Sequence, residues 1–133
     1  KRAEERREAT VKFWEEILPE YQVCISEATV EEINDTKDPG LKDRLERLIK
    51  NFKVLKVNVQ IGDLAKAYVE EGIFPERYID DAIHVACAAF YGIPYLISWN
   101  FEHMVKVKTR KMVSSVNLLK GLIEIEIISP QEL

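Results

Sequence analysis

The sequence predicts an α/β fold, three layers deep, with a central parallel sheet between two layers of helices. Short apolar runs alternate with amphipathic helical stretches along the whole chain, which is the pattern of strand–helix–strand units. Two of these runs, Gln22–Ser26 and Tyr95–Ser98, lead into polar residues, where an open parallel sheet gathers its chemistry. The 133 residues, 47% hydrophobic and 32% charged, suit one domain with a real core, residues 1–133. No repeat, low-complexity segment or long linker interrupts them.

Lys1–Glu20 reads as an amphipathic helix with an apolar stripe of Phe13, Trp14, Ile17 and Leu18, closed by Pro19. Gln22–Ser26 is a short β-like run. Thr29 followed by Glu32 fits a capping box and starts a short helix there. Asn34–Gly40, with Asp, Thr, Pro and Gly, is a loop. Leu41–Phe52 is an amphipathic helix, Lys53–Val57 a strand, and Gln60–Glu71 a helix closed by Gly72. After Tyr78–Ser98, a helical turn over Phe101–Val107, a short helix over Ser114–Lys120 and a last strand over Leu122–Ile128 complete the chain. About four strands are visible. A doubly wound sheet commonly begins with a buried strand, and the chain opens at Lys1 directly on a charged helix, so a first strand is expected before residue 1.

The net charge of −4 argues against a purely electrostatic nucleic-acid binder. It leaves room for carboxylates that hold metal ions, because bound cations reverse the local sign. Cys24 and Cys87 sit in apolar runs without metal-like spacing and read as reduced core residues of an intracellular, cytoplasmic protein. There is no signal peptide and no apolar run long enough to cross a membrane.

The stretch Tyr78–His103 organises the rest. Ile79, Ala82, Ile83, Ala86, Cys87 and Phe90 share one helical face, and Asp81, His84, Val85 and Ala88 the other, so this helix is buried on most sides. Asp80 reads as its cap, with Asp81 at the positive end of the dipole. Gly92 and Pro94 turn the chain into the strand Tyr95–Ser98, which ends on Trp99 and Asn100. Glu32, Asp81 and Asn100 thus fall at strand ends or at the head of a buried helix. Oxygen ligands converging there suit Mg²⁺ or Mn²⁺, which activate water and stabilise phosphoryl displacement. Helix capping by Glu32 and an Asx turn at Asn100 are the plainer alternatives. Asp81, held near Glu32, is expected to carry a raised pKa through mutual repulsion.

Three further readings stand beside these. Asp81, His84 and His103 match no usual zinc spacing. Trp99 either stacks on a base or packs. The run Lys106-Val107-Lys108-Thr109-Arg110-Lys111 is a solvated basic face or an RNA phosphate contact, through Lys106, Lys108 and Arg110.

Asp81–Ala88 and Tyr95–His103, together with Ile25–Ile33 and the tail Val116–Leu133, resemble the PIN domain, the fold of VapC-like toxin ribonucleases and of several RNA-processing nucleases. The resemblance spans nearly the whole chain. It implies a central parallel sheet, a cluster of acidic residues binding Mg²⁺ or Mn²⁺, and endoribonuclease activity on single-stranded RNA. It also implies a cognate antitoxin and a homodimer as candidate partners. Carried onto this chain, Glu32 and Asp81 are acids of the site, Asn100 stands where many members have Asp, Ser98 supports that loop, and His103 stands where some have a further Asp. The family's first acid lies in a first strand with no counterpart after Lys1. A catalytically incomplete RNA- or protein-binding module, and a small phosphate-ester hydrolase, are the alternatives.

Overall fold

The computed structural model describes residues 2–133. Helix α1 spans Arg2–Lys12, continues as a π-helical turn over Phe13–Ile17 and tightens to a 3₁₀ turn over Leu18–Glu20. A single helix to Glu20 was the expectation. Pro19 offers no N–H and its ring crowds the carbonyl four residues back. The turn before it widens, and the Leu18 N–H bonds the Phe13 carbonyl. Phe13 is buried there, and Trp14 stacks on Phe52 with ring centroids 5.5 Å apart.

β1 (Cys24–Ser26) leads into α2 (Glu27–Asn34). The helix starts three residues earlier than the Thr29–Glu32 capping box suggested. Ser26 has extended backbone geometry and its Oγ accepts from the Thr29 N–H, so Ser26 is the cap. The Glu27 carboxylate is drawn off to accept from the Val57 N–H at 2.7 Å. α3 (Pro39–Ile49) takes Pro39 at its first position, under Asp38, which accepts from the Gly40 and Leu41 N–H groups. β2 (Lys53–Leu55) follows, then α4 (Val59–Glu70), capped by Asn58.

α5 (Ile79–Tyr91) buries Ala82, Val85, Ala86, Cys87, Ala88 and Ala89. It packs along α4, whose buried face is Ile61, Leu64, Ala65 and Tyr68. Gly92, at φ 67°, closes α5 in the left-handed conformation, and the Ile93 N–H returns to the Ala88 carbonyl. β3 (Tyr95–Ile97), α6 (Val107–Leu119) and β4 (Glu126–Ile128) complete the chain. α6 begins seven residues before the expected Ser114. Thr109, Val113 and Asn117 are all buried, so the four-residue stripe extends upstream through the basic run.

The architecture is mixed α/β with parallel strand pairing. β1 pairs β2 with Ile25 opposite Val54, and β3 pairs β4 with Leu96 opposite Ile127. The expected single central sheet is not what these pairs form. They make two separate two-stranded sheets, and residues of α5 and of the turn after α1 line the space between β1 and β3. Among the described residues no helix is long and apolar enough to cross a membrane.

In the core, the Tyr68 hydroxyl donates to Asn117 Oδ1, and both side chains are fully buried. Burial drives the Tyr68 phenol pKa well above its ordinary range. Asn117 Nδ2 has no partner among the described residues, so its amide depends on Tyr68. Tyr68→Phe is therefore expected to cost about 1–3 kcal/mol, the penalty for an unsatisfied buried acceptor. Urea unfolding should show a lower midpoint at unchanged slope. An unchanged midpoint would mean that Asn117 finds another donor.

Candidate functional site

The site forms where β1 and β3 end and α5 begins. Asp81 lies in the first turn of α5, and His84 follows one turn later on the same face. His84 Nδ1 is 3.2 Å from Ser26 Oγ at the end of β1, and His84 Nε2 is 3.1 Å from Glu32 Oε1 on α2. One arrangement of protons satisfies all of these groups. Ser26 accepts from the Thr29 N–H and donates to Nδ1, while Nε2–H donates to the Glu32 carboxylate. His84 is mostly buried and Glu32 is more than half exposed, so the ring holds the carboxylate at the surface end of this chain of bonds.

On the β3 side, the Asn100 N–H donates to Ser98 Oγ at 3.0 Å, and Ser98 Oγ lies 3.7 Å from Met104 Sδ. Asn100 Nδ2 donates to Asp81 Oδ2 at 3.3 Å, and Asn100 Oδ1 accepts from the His103 N–H at 2.9 Å. Asn100 therefore combines an Asx-type turn with a bond that anchors Asp81. In this orientation its amide oxygen faces the loop backbone. The His103 ring lies against Tyr78 with centroids 4.1 Å apart, and its buried Nε2 has no hydrogen-bond partner among the described residues.

The remaining sequence candidates fall around this centre. Asp80 is exposed and does not cap α5. Tyr78 occupies the cap position without a side-chain bond, because a 3₁₀ turn over Glu76–Tyr78 runs straight into the helix. Trp99 is tied to α1: its Nε1 donates to Thr10 Oγ1 at 2.9 Å, and the Arg6 guanidinium lies 5.6 Å from its ring. Phe101, beside it, is exposed. Lys106 and Lys108 are exposed at the head of α6, and Arg110 Nη1 lies 3.7 Å from Glu132. Sequence reasoning overlooked Ser26 as the link between β1 and His84. Its signal was a serine at the last strand position, three residues before Thr29.

Among the described residues, Asp81 Oδ1 and Glu32 Oε2 meet no hydrogen-bond donor. A hard divalent cation that keeps several of its waters binds through one or two carboxylates, so this donor chemistry suits Mg²⁺ or Mn²⁺. Among the described residues no three His, Cys, Asp or Glu side chains form a ligand cluster by themselves. Both nitrogens of His84 are engaged, which leaves the Asp81–His84–His103 zinc set without a ready His84 ligand.

The Asp81 carboxyl pKa is raised, first by burial and then by Glu32. His103, His84 and the Asn100 hydrogen bond pull it the other way. The expectation gave the lead to repulsion from Glu32. Burial leads because Asp81 sits at the head of a buried helix, whereas Glu32 extends toward solvent. A raised folded-state pKa means that the folded protein holds the proton more tightly than the unfolded chain. The stabilising contribution is then complete below the ordinary aspartate value of about 3.9 and lost as pH rises through the folded value. Asp81→Asn should melt higher than the parent at pH 7, with the difference vanishing toward pH 3. A variant that melts lower at pH 7, by an amount independent of pH, would contradict burial as the cause.

No family model, curated protein or solved structure matches this chain, so the site is read from its own geometry.

Proposed function

We propose that this chain is a metal-dependent endoribonuclease of the PIN type, acting on single-stranded RNA. The observation that carries the reading is the meeting of Asp81 and Asn100 at the end of β3, with Glu32 held toward the same helix by His84. Asp81 and Glu32 would hold the cation, with Mg²⁺ or Mn²⁺ supplying activation of water and stabilisation of the displaced phosphate when bound. Asn100 fixes the Asp81 rotamer, Ser98 fixes the Asn100 loop, and His84 fixes Glu32. Lys106 and Lys108 offer exposed positive charge to a phosphate backbone on a chain that is acidic overall. Arg110 is partly occupied by Glu132, the Trp99 Nε1–H by Thr10, and the Arg6 guanidinium lies over both the Trp99 and the Phe101 rings, so base stacking on either ring would have to displace Arg6. The three-layer PIN architecture, a toxin role with a cognate antitoxin, a homodimer and a cytoplasmic location belong to the same reading and rest on the sequence resemblance.

A second reading has its own support. Among the described residues no three His, Cys, Asp or Glu side chains cluster as a metal site, and the Asn100 oxygen is turned to the backbone. That suits a catalytically incomplete module that binds RNA or protein without cutting.

Cleavage of an end-labelled single-stranded RNA in Mn²⁺ separates the two. The nuclease reading expects cleavage that stops in chelator. It also expects Asp81→Asn to slow cleavage by about 100-fold or more, since Asn keeps the shape but removes the charge that holds the ion. Cleavage persisting in chelator or in Asp81→Asn would overturn it. RNA retained without cleavage would leave the binding module.

A further inference from the structure

The two cysteines of the chain take no part in the site chemistry described above. Both are free thiols, Cys24 half-buried on β1 and Cys87 buried on α5. They are far apart in sequence and close in the fold. Both line the cavity of about 610 Å³ beside β1 and β3, and Cys24 packs against the core cluster that contains Cys87.

The directions of β1 and α5 set these thiols opposite one another. β1 ends at the site, where Ser26 Oγ lies 3.2 Å from His84 Nδ1, and α5 begins there with Asp81 in its first turn. At the far end Tyr21, just before β1, meets Tyr95, the first residue of β3 after the turn that closes α5, with ring centroids 6.4 Å apart. Strand and helix therefore run antiparallel, and the Ser26–His84 contact fixes their register. Two residues back along β1, on the same face of the strand, stands Cys24, roughly 6.6 Å from Ser26. Three residues on along α5, on the same side of the helix as His84, stands Cys87, roughly 4.5 Å further along the axis. Both steps lead away from the site in one direction, so Cys24 faces Cys87 as Ser26 faces His84. The electrostatics agree with this placement: burial pushes the Cys87 thiol pKa up to about 11, and Cys24 and Glu27 add to the rise.

We propose that Cys24 and Cys87 are a redox pair that hydrogen peroxide closes to a disulfide, tying β1 to α5. Cys87 is buried and stays protonated near neutral pH, so the more accessible Cys24 takes the oxidant first. Cys24 gives up its thiol proton and attacks one peroxide oxygen. The O–O bond breaks, and the departing hydroxide takes up that proton as water, leaving a sulfenic acid on Cys24. Cys87 then loses its proton and attacks the Cys24 sulfur. The S–O bond breaks, and hydroxide leaves with that proton as a second water. The two thiols have lost two electrons and two protons, and the peroxide has become two waters. The new bond repeats in covalent form the tie that Ser26 makes to His84 one step nearer the site, and so stiffens the arm that holds Glu32. This inference rests on the packing of β1 against α5 and is independent of the nuclease reading.

The test treats the folded 133-residue chain with hydrogen peroxide, blocks remaining thiols with iodoacetamide, and reads intact mass and peptides without reduction. The expected product is a monomer lighter by two hydrogen atoms, with the Cys24 and Cys87 peptides joined and both released by dithiothreitol. It should melt higher than the reduced protein by about 5 °C or more, since the bond closes a long loop. Dimedone, which traps sulfenic acids, should label Cys24 in Cys87→Ser and leave Cys87 unlabelled in Cys24→Ser. Four outcomes would overturn the proposal: oxidation of Cys24 to sulfinic acid with no joined peptide in the parent chain; a disulfide that links two chains; a joined peptide that forms only in urea; and dimedone labelling of Cys87 in Cys24→Ser as strong as that of Cys24 in Cys87→Ser. The first three are read on the parent protein and do not depend on how either variant folds.

Discussion

The close packing of α5 against α4 is the constraint on which the rest of this structure depends. α5 packs along α4, and Ala82, Ala86 and Ala89 of α5 share one core with Ile61, Leu64 and Tyr68 of α4, all buried completely or nearly so. A helix held this firmly fixes what projects from its first turns. Asp81 and His84, three residues apart, therefore face the ends of β1 and β3 together rather than through flexible loops. The carboxylate at that position is costly because its helix is buried, and the same burial raises its pKa.

His84 ties three elements to one another. It takes Ser26 on one nitrogen and Glu32 on the other, so the end of β1 and the second turn of α2 are set relative to α5 by a single ring. Ser26 does double duty as the α2 cap, which couples the start of that helix to the position of Glu32. Asn100 plays the matching part on the other side, caught between Ser98, the His103 N–H and Asp81. The two arms meet only at α5. Displacing its first turn would separate Glu32 from Asn100 without disturbing either strand pair.

Periodicity made the helices legible: α3, α4 and α5 lie within a few residues of where the apolar spacing put them, with the striped face buried in α4 and α5, whereas Leu41 and Leu48 of α3 are exposed. Starts were harder to read. Thr29 fitted a capping pattern, yet Ser26 won because the extended end of β1 presented its hydroxyl first. α6 was read too short, since Lys106–Lys111 carries four charges, its apolar Val107 is exposed, and the residue buried there is the polar Thr109. Pairing was least legible. Three-residue strands contain too little pattern to say which neighbours they take, and two pairs rather than one sheet resulted. At the site, the residue types were readable from position, while the Ser26–His84–Glu32 connection depends on α2 and α5 meeting in space.

The proposed nuclease chemistry requires that Glu32 and Asp81 together hold one cation across α2 and α5. A titration of Mn²⁺ followed by the carbonyl and carboxyl resonances of labelled Asp, Glu and Asn side chains tests it most directly. The account predicts that Glu32, Asp81 and Asn100 broaden together, ahead of the exposed acids of α1, and that Asp81→Asn abolishes early broadening at Glu32. Broadening that begins elsewhere, or that persists undiminished at Glu32 in Asp81→Asn, would show that the two carboxylates do not act as one site.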